Sequence, residues 1–161
     1  MAVLKIIVVV MVFVITIAFF TLVRNDANLF EPPGMVKRLA VFLTVSSAST
    51  LDDHPFKELR TPVFNMDTET LYHLVIESAN GLGWGIIAHD SDTYNANFVV
   101  RSPLLLFEDD VYIQVRPISA NQSSLYIQSS SRSPSAHADF AANSGHIQSL
   151  IEKVREQSNI Q

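Results

Sequence analysis

The sequence predicts an α+β protein in which a single N-terminal transmembrane helix precedes a two-layer domain with an antiparallel sheet and helices on one face. Two observations carry this prediction. An uncharged apolar run opens the chain, and the order of elements after it is strand, helix, four strands, helix. Strands that follow one another through short turns form antiparallel sheets, and the helices between such runs cover one side of the sheet.

The N-terminal run IIVVVMVFVITIAFFTLV covers residues 6–23 and contains no charged side chain. At a rise of 1.5 Å per residue, about 18 to 20 apolar residues cross a hydrocarbon core of roughly 30 Å. A secretory signal peptide is the alternative, but its apolar stretch is usually about 7 to 15 residues and ends at a small-x-small cleavage site. Arg24-Asn25-Asp26 follows here instead, so residues 1–24 are predicted to be a retained anchor in the lipid bilayer.

The orientation of this anchor depends on two opposing signals. Lys5 lies before the apolar run, whereas Arg24, Lys37 and Arg38 lie after it, and a Lys/Arg count therefore favours a cytoplasmic domain. A short leader joined directly to an apolar run behaves as a signal anchor, which exports the domain on its C-terminal side. We expect export, with the domain on the periplasmic or lumenal side.

The first part of the domain is predicted from turn residues and periodicity. Residues 25–35 contain Pro32-Pro33-Gly34 and read as a linker. Residues 36–45 are rich in β-branched side chains and are predicted to be a strand, followed by a Ser/Thr/Asp loop through Pro55. Asp67 is predicted to cap a helix over residues 68–80, because its apolar side chains fall on one face.

Four strand-like runs come next, over residues 84–89, 94–102, 111–118 and 124–130. Apolar residues alternate in the last two of them, as expected for strands with one buried face. The turn residues 90–92 and 120–122 predict antiparallel hairpins. A final helix over residues 143–157 completes a domain spanning 36–157, and residues 158–161 form a tail.

Composition excludes several classes of function. The net charge is −5, and Lys and Arg are scattered singly, so we expect no nucleic-acid partner. The chain has no Cys, which excludes disulfides and thiolate metal sites. Its five histidines are never spaced at i,i+4 or as His-x-His, and we therefore predict neither a local metal site nor a cofactor.

Three segments resemble one known family. RSPLLLFEDDV places Arg101-Ser102, Phe107 and Asp109-Asp110-Val111 at the spacing of the family's central motif. SSSRSPSAHADFAANSGHI resembles a second pattern, with the matching positions at Ser131, Arg132, Asp139 and Asn143. TVSSASTLDDHP resembles a third, at Val45-Ser46-Ser47 and Asp53-His54. The family is the one catalogued as domain of unknown function 1499, and the resemblance covers about residues 36–157.

This resemblance implies a fold and an exported, membrane-proximal location, but no reaction. Members of the family usually carry a Cys-Pro-rich stretch before Val-Ser-Ser, whereas this chain has RLAVFLT there. The loop between Arg132 and Asp139 is also about two residues longer than the family pattern. The family's frequency in bacteria and photosynthetic lineages implies a bioenergetic or photosynthetic membrane complex as the setting.

The polar residues of these motifs allow two interpretations. They could form a ligand-binding or acid/base cluster, since paired carboxylates with raised pKa values serve in hydrolysis. Alternatively, ion pairs of Arg101 and Arg132 with Asp109 and Asp139 join strand ends to the last helix. Arg132→Ala would then leave a buried carboxylate unpaired and destabilise the domain. We favour the structural interpretation because no nucleophile with an adjacent base accompanies the carboxylates. The candidate residues are Arg101, Asp109, Asp110, Arg132, Asp139 and Asn143.

The function predicted from the sequence is that of a non-catalytic accessory or structural subunit of a larger membrane complex. The anchor would pack against neighbouring transmembrane helices through one face, which we place at Val9, Phe13, Thr16 and Phe20. The soluble domain would contribute further contacts to the same partner complex. The alternative is a membrane-tethered ligand-binding domain or hydrolase that uses the Arg/Asp cluster.

Overall fold

The computed structural model describes residues 1–101, 107–133 and 138–159, and confirms the predicted α+β class. Ser102, the end of one predicted strand, and part of the predicted tail lie outside these residues. The elements in chain order are α1 (Ala2–Arg24), α2 (Met35–Phe42), β1 (Ser47–Ser49), β2 (Val63–Phe64), α3 (Thr68–Gly81), β3 (Gly85–Asp90), β4 (Asn95–Arg101), β5 (Glu108–Ser119), β6 (Gln122–Ser131) and α4 (Ala142–Ser158).

The six strands form one antiparallel sheet in the order β1-β6-β5-β4-β3, and the short β2 also pairs with β6. β5 and β6 are the longest strands, and their register places Ile113 opposite Ile127 and Val115 opposite Leu125. These side chains point to the same face, where α3 and α4 pack. The predicted helices and the four predicted strands are therefore present, with ends shifted by a few residues.

The core lies between this sheet and helices α3 and α4. Each long strand contributes alternate side chains, because successive residues of a strand point to opposite faces. Helices α3 and α4 contribute apolar positions spaced three and four residues apart. The fully buried residues of this core include Leu71, Val75, Ala96, Phe98, Val111, Ile113, Leu125, Ile127, Ile147, Leu150 and Val154.

Helix α3 begins and ends at the signals predicted from the sequence. The Asp67 carboxylate accepts a hydrogen bond of 2.9 Å from the Thr70 amide, which satisfies one of the free N–H groups of the first turn. The helix ends at Gly81, and Gly83 adopts a φ of 77° in the turn that leads into β3. A positive φ favours glycine, so this glycine-rich segment serves as a turn.

The prediction of a strand over residues 36–45 is wrong, because the segment forms α2. Its inward-facing residues are Arg38, Leu39 and Phe42, which are spaced as on one face of a helix and not at the period of two that a strand requires. Arg38 is charged and yet fully buried, so the hydrophobic pattern concealed the helical period. The side-chain partners of Arg38 lie outside the segment, so its burial leaves no signal in the local pattern.

Two short strands occur in segments where no strand was predicted. β1 lies in the predicted Ser/Thr/Asp loop, and Ser47 pairs with Ser130 of β6. β2 pairs Val63 with Ser124 at the other end of β6. Neither segment alternates apolar and polar residues, and both are held to the sheet by backbone pairing, which leaves no periodic signal in the sequence.

Helix α1 is long and apolar enough to cross a membrane. Its 23 residues reach a mean hydropathy of 3.2 over an 18-residue window, and only 6% of that window is buried. A core helix of a soluble protein would be mostly buried. The division of the chain at residues 24, 35 and 157 stays a prediction, although Ala27 and Leu29 of the predicted linker are buried against the domain.

Candidate functional site

Four of the charged residues near the ends of β4, β5 and β6 form a surface ladder, which we define as Arg101, Glu108, Asp110 and Arg132. Glu108 accepts hydrogen bonds from Arg101 at 2.7 Å and from Arg132 at 2.8 Å. Arg132 also donates to Asp110 at 2.7 Å. Arg101 and Glu108 are opposite each other in the pairing of β4 with β5. The ladder thus joins three strands on the solvent-facing side of the sheet.

A second group lies on the opposite face of β5, under the first turns of α4. The Asp109 carboxylate accepts a hydrogen bond of 2.6 Å from the Ser131 hydroxyl, and its other oxygen lies 3.0 Å from Nε2 of His146. His146 in turn packs edge-on against Trp84. Asp109 is buried, so these contacts tie the end of β5 to β6 and to α4.

Asp139 and Asn143 organise the start of α4. The helix has no side-chain cap at Ala141, which adopts a φ of 69°. The Asp139 carboxylate instead accepts hydrogen bonds from the amides of Ala141 and Asn143, at 2.9 and 3.1 Å. The buried side-chain amide of Asn143 donates hydrogen bonds to the Asp139 carboxylate and to the Ser46 carbonyl, and its oxygen accepts one from the Ser129 hydroxyl. We call Asp109, Ser129, Ser131, Asp139, Asn143 and His146 the buried polar cluster.

The six predicted site residues therefore separate into two groups that do not share a cavity. The predicted pairing of the two arginines with Asp109 and Asp139 is wrong: Arg101 and Arg132 contact Glu108 and Asp110 on the outer face. The reason is the alternation of β5, which places Glu108 and Asp110 on the face opposite to Asp109. The sequence prediction missed Glu108 and His146. Glu108 could have been found from the alternation of β5, because residues 108 and 110 of a strand point to the same face.

Local contacts shift the pKa values of three carboxyl groups. Hydrogen bonds from Arg101 and Arg132 lower the pKa of Glu108. Burial would raise the pKa of Asp109, but the hydrogen bonds from His146 and Ser131 outweigh it and the pKa is lowered. Burial raises the pKa of Asp139, and the hydrogen bonds from Asn143 only partly oppose this shift. Of these three carboxyl groups, Asp139 is the one whose pKa is raised.

The cavity next to Asp139 has a volume of about 100 Å³ and lies between α2, β1 and the start of α4. Apolar side chains, among them Val41, Val45 and Phe56, make up most of its lining, and His54 and Ser144 contribute polar groups. Pockets for small organic ligands occupy roughly 300 to 1,000 Å³. The ladder does not line this cavity, and within residues 1–101, 107–133 and 138–159 no group of three or more acidic or histidine side chains is placed to hold a metal ion.

The residues predicted for a membrane-helix interface, Val9, Phe13, Thr16 and Phe20, are exposed on α1. The Thr16 hydroxyl donates a hydrogen bond of 2.8 Å to the Val12 carbonyl of the same helix. This bond satisfies the hydroxyl hydrogen within an apolar environment. The face stays a predicted interface.

The end of α1 is joined to the domain by contacts that the sequence did not predict. Asn25 donates to the Phe140 carbonyl at 2.9 Å, and Asn28 donates to the Gln148 side chain at 2.9 Å. Gln148 donates back to the Asp26 carbonyl at 3.2 Å. Leu22, in the last turn of α1, is buried. We call these contacts between residues 22–28 and α4, with the turn that precedes it, the anchor junction.

Comparison with known proteins identifies no relative by sequence: no family model and no curated protein matches the chain. The resemblance to the domain of unknown function 1499 therefore stays a prediction. Among solved structures, a di-domain ARO/CYC protein, BexL of the BE-7585A biosynthetic pathway, is similar at 11% identity and a TM-score of 0.40. The match covers 72% of this chain but only 43% of that protein. A Thermobifida fusca protein solved by NMR is similar at 9% identity and a TM-score of 0.40, over 72% and 82% of the two chains.

Proposed function

We propose that this chain is a non-catalytic, membrane-anchored accessory subunit of a larger membrane complex. The observation that carries the proposal is the anchor junction. A simple tether needs only a flexible connection, whereas here the last turn of α1 and the segment after it are held by α4 through buried and hydrogen-bonded contacts. Such a connection fixes the orientation of the domain relative to the membrane helix, which is what a subunit with one docking geometry requires.

The same contacts support the retention of α1. Signal peptides are removed by cleavage just after their apolar segment. Here Leu22, Ala27 and Leu29 belong to the buried core of the domain. Cleavage after residue 22 would remove Leu22 from this core, and cleavage after residue 29 would also remove Ala27 and Leu29 and the hydrogen bonds of Asn25 and Asn28. Retention of the anchor, and export of the domain to the periplasmic or lumenal side, are parts of this proposal.

The arrangement of the polar residues supports a structural role over hydrolysis or ligand binding. Catalytic acids and bases converge on a cavity that admits a substrate. In the described part of the chain the ladder lies on an open sheet surface, and every buried side-chain nitrogen or oxygen has a hydrogen-bond partner. Asp109, Asp139 and Asn143 are engaged by their neighbours, so none of them is left to bind a ligand.

The test is purification of the full-length chain in mild detergent, followed by mass spectrometry of the proteins that co-purify. Two sets of four leucine substitutions provide a matched comparison. One replaces the predicted interface, Val9, Phe13, Thr16 and Phe20, and the other replaces Ile7, Met11, Val14 and Ala18, which lie at the same spacings on the opposite face of α1.

We expect the first set to lose the co-purifying complex and the second to keep it, because only a docking face depends on the shape of its side chains. Both variants keep an apolar helix of equal length and should stay in the membrane. If both recover the same complex in the same yield, α1 is not the docking element. If the wild-type chain recovers no defined complex, the proposed function is wrong.

A further inference from the structure

The surface of α2 that faces away from the domain is apolar, unlike the outer surfaces of α3 and α4. The outward-facing residues Val36, Ala40 and Leu43 are spaced at i, i+4 and i+7, and Lys37 is the one charged residue on this face. The exposed positions of α3 and α4 carry charges instead, among them Glu69, Glu77, Glu152, Arg155 and Glu156. Soluble proteins rarely leave a contiguous apolar patch exposed without a partner.

Phe30, in the turn between α1 and α2, is a further exposed apolar residue close to α2 in the chain. Its side chain is 86% exposed, and Val36 is 78% exposed. Large exposed apolar side chains at one place are the residues that dip into the boundary between head groups and acyl chains. We define Phe30, Val36, Ala40 and Leu43 as the α2 patch.

The α2 patch belongs to the part of the domain that lies next to the end of the membrane helix. The Phe140 amide donates to the Phe42 carbonyl at 3.1 Å, while the Phe140 carbonyl accepts from Asn25 at 2.9 Å. One residue therefore bridges the end of α2 and the end of α1, which places them about 10 Å apart. At its other end α2 is held by Arg38, which donates to the Ala27 carbonyl at 3.3 Å.

The length of α1 places this region at the bilayer surface. Its 23 residues extend about 34 Å, against a hydrocarbon core of roughly 30 Å. When α1 spans the membrane, Arg24 lies at the head groups, and a helix tied to residues 25–31 lies beside them. The exposed charges of this region balance, with Arg24 and Lys37 against Asp26 and Glu31, so the apolar side chains and not a net charge carry the contact.

We propose that the α2 patch lies on the lipid surface, so that the domain rests on the bilayer and is held there by α1 and α2 together. The patch continues the apolar surface of α1 from the membrane onto the domain. This contact needs an embedded α1 but no partner complex. A patch covered by a neighbouring protein is the alternative that the experiment distinguishes.

The test uses the full-length chain in vesicles of phosphatidylcholine, with and without phosphatidylglycerol, that contain lipids carrying a nitroxide quencher near the head group. The chain has no Cys, so single substitutions allow one fluorophore at a chosen site. The reporters are Val36→Cys and Leu43→Cys. Val9→Cys is the control within the membrane, and Ile87→Cys is the matched control, because Ile87 is also apolar and 51% exposed but lies on β3, at the far edge of the sheet.

We expect the fluorophores at Val36 and Leu43 to be quenched at least about twofold more than the one at Ile87. Val36→Asp should reduce the quenching at Leu43, whereas Ile87→Asp should leave it unchanged. Quenching at Val36 no stronger than at Ile87 overturns the proposal, because the vesicles hold no other protein to cover the patch. An unquenched Val9 reporter would overturn the membrane anchor as well, whereas loss of contact at Val36 alone leaves the proposed function intact.

Discussion

Arg38 and Glu58 form a bidentate ion pair in which the guanidinium is fully buried and the carboxylate is 17% exposed. Nη1 and Nη2 of Arg38 donate to the two carboxylate oxygens, and the remaining donors reach the carbonyls of Ala27, Glu31 and Pro32. Burial would raise the pKa of Glu58, but the hydrogen bonds and the charge of Arg38, together with a backbone hydrogen bond, outweigh it and the pKa is lowered. The pair thus holds α2 and the segment after α1 against the domain.

We expect Arg38→Ala to lower the free energy of unfolding by about 3 to 5 kcal/mol, because it leaves the Glu58 carboxylate and three carbonyls without their partner in a buried site. It also removes the guanidinium from the ring of Phe56, which lies 4.3 Å away. Chemical denaturation of the detergent-solubilised chain measures the change. Trp84, the single tryptophan, is buried and provides the fluorescence signal.

Two comparisons test this explanation. Arg116→Ala removes an exposed guanidinium that lies over the ring of Tyr126, and should change stability far less. Replacing both members of the pair, as Arg38→Met with Glu58→Leu, should cost less than Arg38→Met alone, because no unpaired charge is left behind. If the double substitution is the more damaging one, loss of packing rather than of charge pairing explains the effect.

The buried polar cluster under α4 should contribute more to the stability of the domain than the surface ladder does. Asn143→Ala removes the partner of the Ser46 carbonyl, of Ser129 and of Asp139, and we expect a loss of about 1 to 3 kcal/mol in the free energy of unfolding. Arg132→Ala should cost much less, because Arg132 and Asp110 are 37% and 47% exposed. The expectation from sequence that Arg132 pairs with a buried carboxylate is thereby corrected.

Salt separates these two variants further. Added salt screens the exposed ladder, so the small effect of Arg132→Ala should shrink as ionic strength rises. The effect of Asn143→Ala rests on buried hydrogen bonds and should stay constant. Equal losses in the two variants would contradict the assignment of the ladder to the surface.

Asp109 should make stability depend on pH. Its pKa is lowered from an ordinary value of 3.8, so its contribution is complete above that value and is lost as the pH falls through the lower pKa of the folded state. We expect Asp109→Asn to reduce the free energy of unfolding by about 1 to 3 kcal/mol at neutral pH. The difference in the free energy of unfolding between Asp109→Asn and wild type should become smaller as the pH falls below 3.8.

Both proteins keep Asp139, whose effect on stability has the opposite sign. The Asp109 charge is a minor cause of the raised pKa of Asp139, so the difference between the two proteins reports Asp109 together with a smaller contribution from Asp139. The pKa of Asp139 is raised, so its contribution is present below its ordinary value of 3.8 and is lost as the pH rises through the higher folded value. Unfolding curves of both proteins across the acid range provide the measurement. A difference independent of pH would show that the Asp109 charge does not contribute.

The parts of the fold that the sequence predicted are those in which one face is buried and the period is regular. The helix capped by Asp67 and the alternation of Val111, Ile113 and Val115 follow from local chemistry and were predicted correctly. Helix α2 was not, because its buried face contains Arg38, whose partner Glu58 is 20 residues away. The burial of a charged residue can be predicted only when its partner is known.

The pairings within the candidate site were not predicted from the sequence, and the role of its residues stays a prediction. The motifs selected Asp109, Asp139 and Asn143, and all three do lie around the start of α4. Which carboxylate meets which cation depends on the register of β5 against β4 and β6, and this register is set by backbone pairing between distant segments. The anchor junction left no motif either, since Asn25 contacts a residue 115 positions away.

Gly145 marks the closest approach between α4 and the anchor junction. A Cβ atom at this position would lie 3.0 Å from the carbonyl oxygen of Asn25, and that oxygen belongs to the backbone, which cannot rotate away as a side chain can. We therefore expect Gly145→Ala to push residues 25–28 away from α4 and to weaken the hydrogen bonds of Asn25 and Asn28. The packing of α3 and α4 on the sheet should persist, although Ala27 and Leu29 of the core lie within or next to the displaced segment.

Gly81→Ala is the matched control, since a Cβ atom there meets only the end of the Lys153 side chain at 3.7 Å. Alanine in place of glycine at a helical position stabilises a protein by about 0.5 to 1 kcal/mol when nothing obstructs the added atom. The Gly81→Ala variant should therefore unfold at a higher denaturant concentration than wild type. A spin label at Asp26→Cys reports the junction directly, because the Asp26 side chain is exposed and the residue joins the junction through its backbone carbonyl. The motion of the label should increase in Gly145→Ala and stay unchanged in Gly81→Ala. A label that moves no more in Gly145→Ala than in the parent protein would contradict this expectation. It would show that the contact between α4 and the end of α1 tolerates the extra atom.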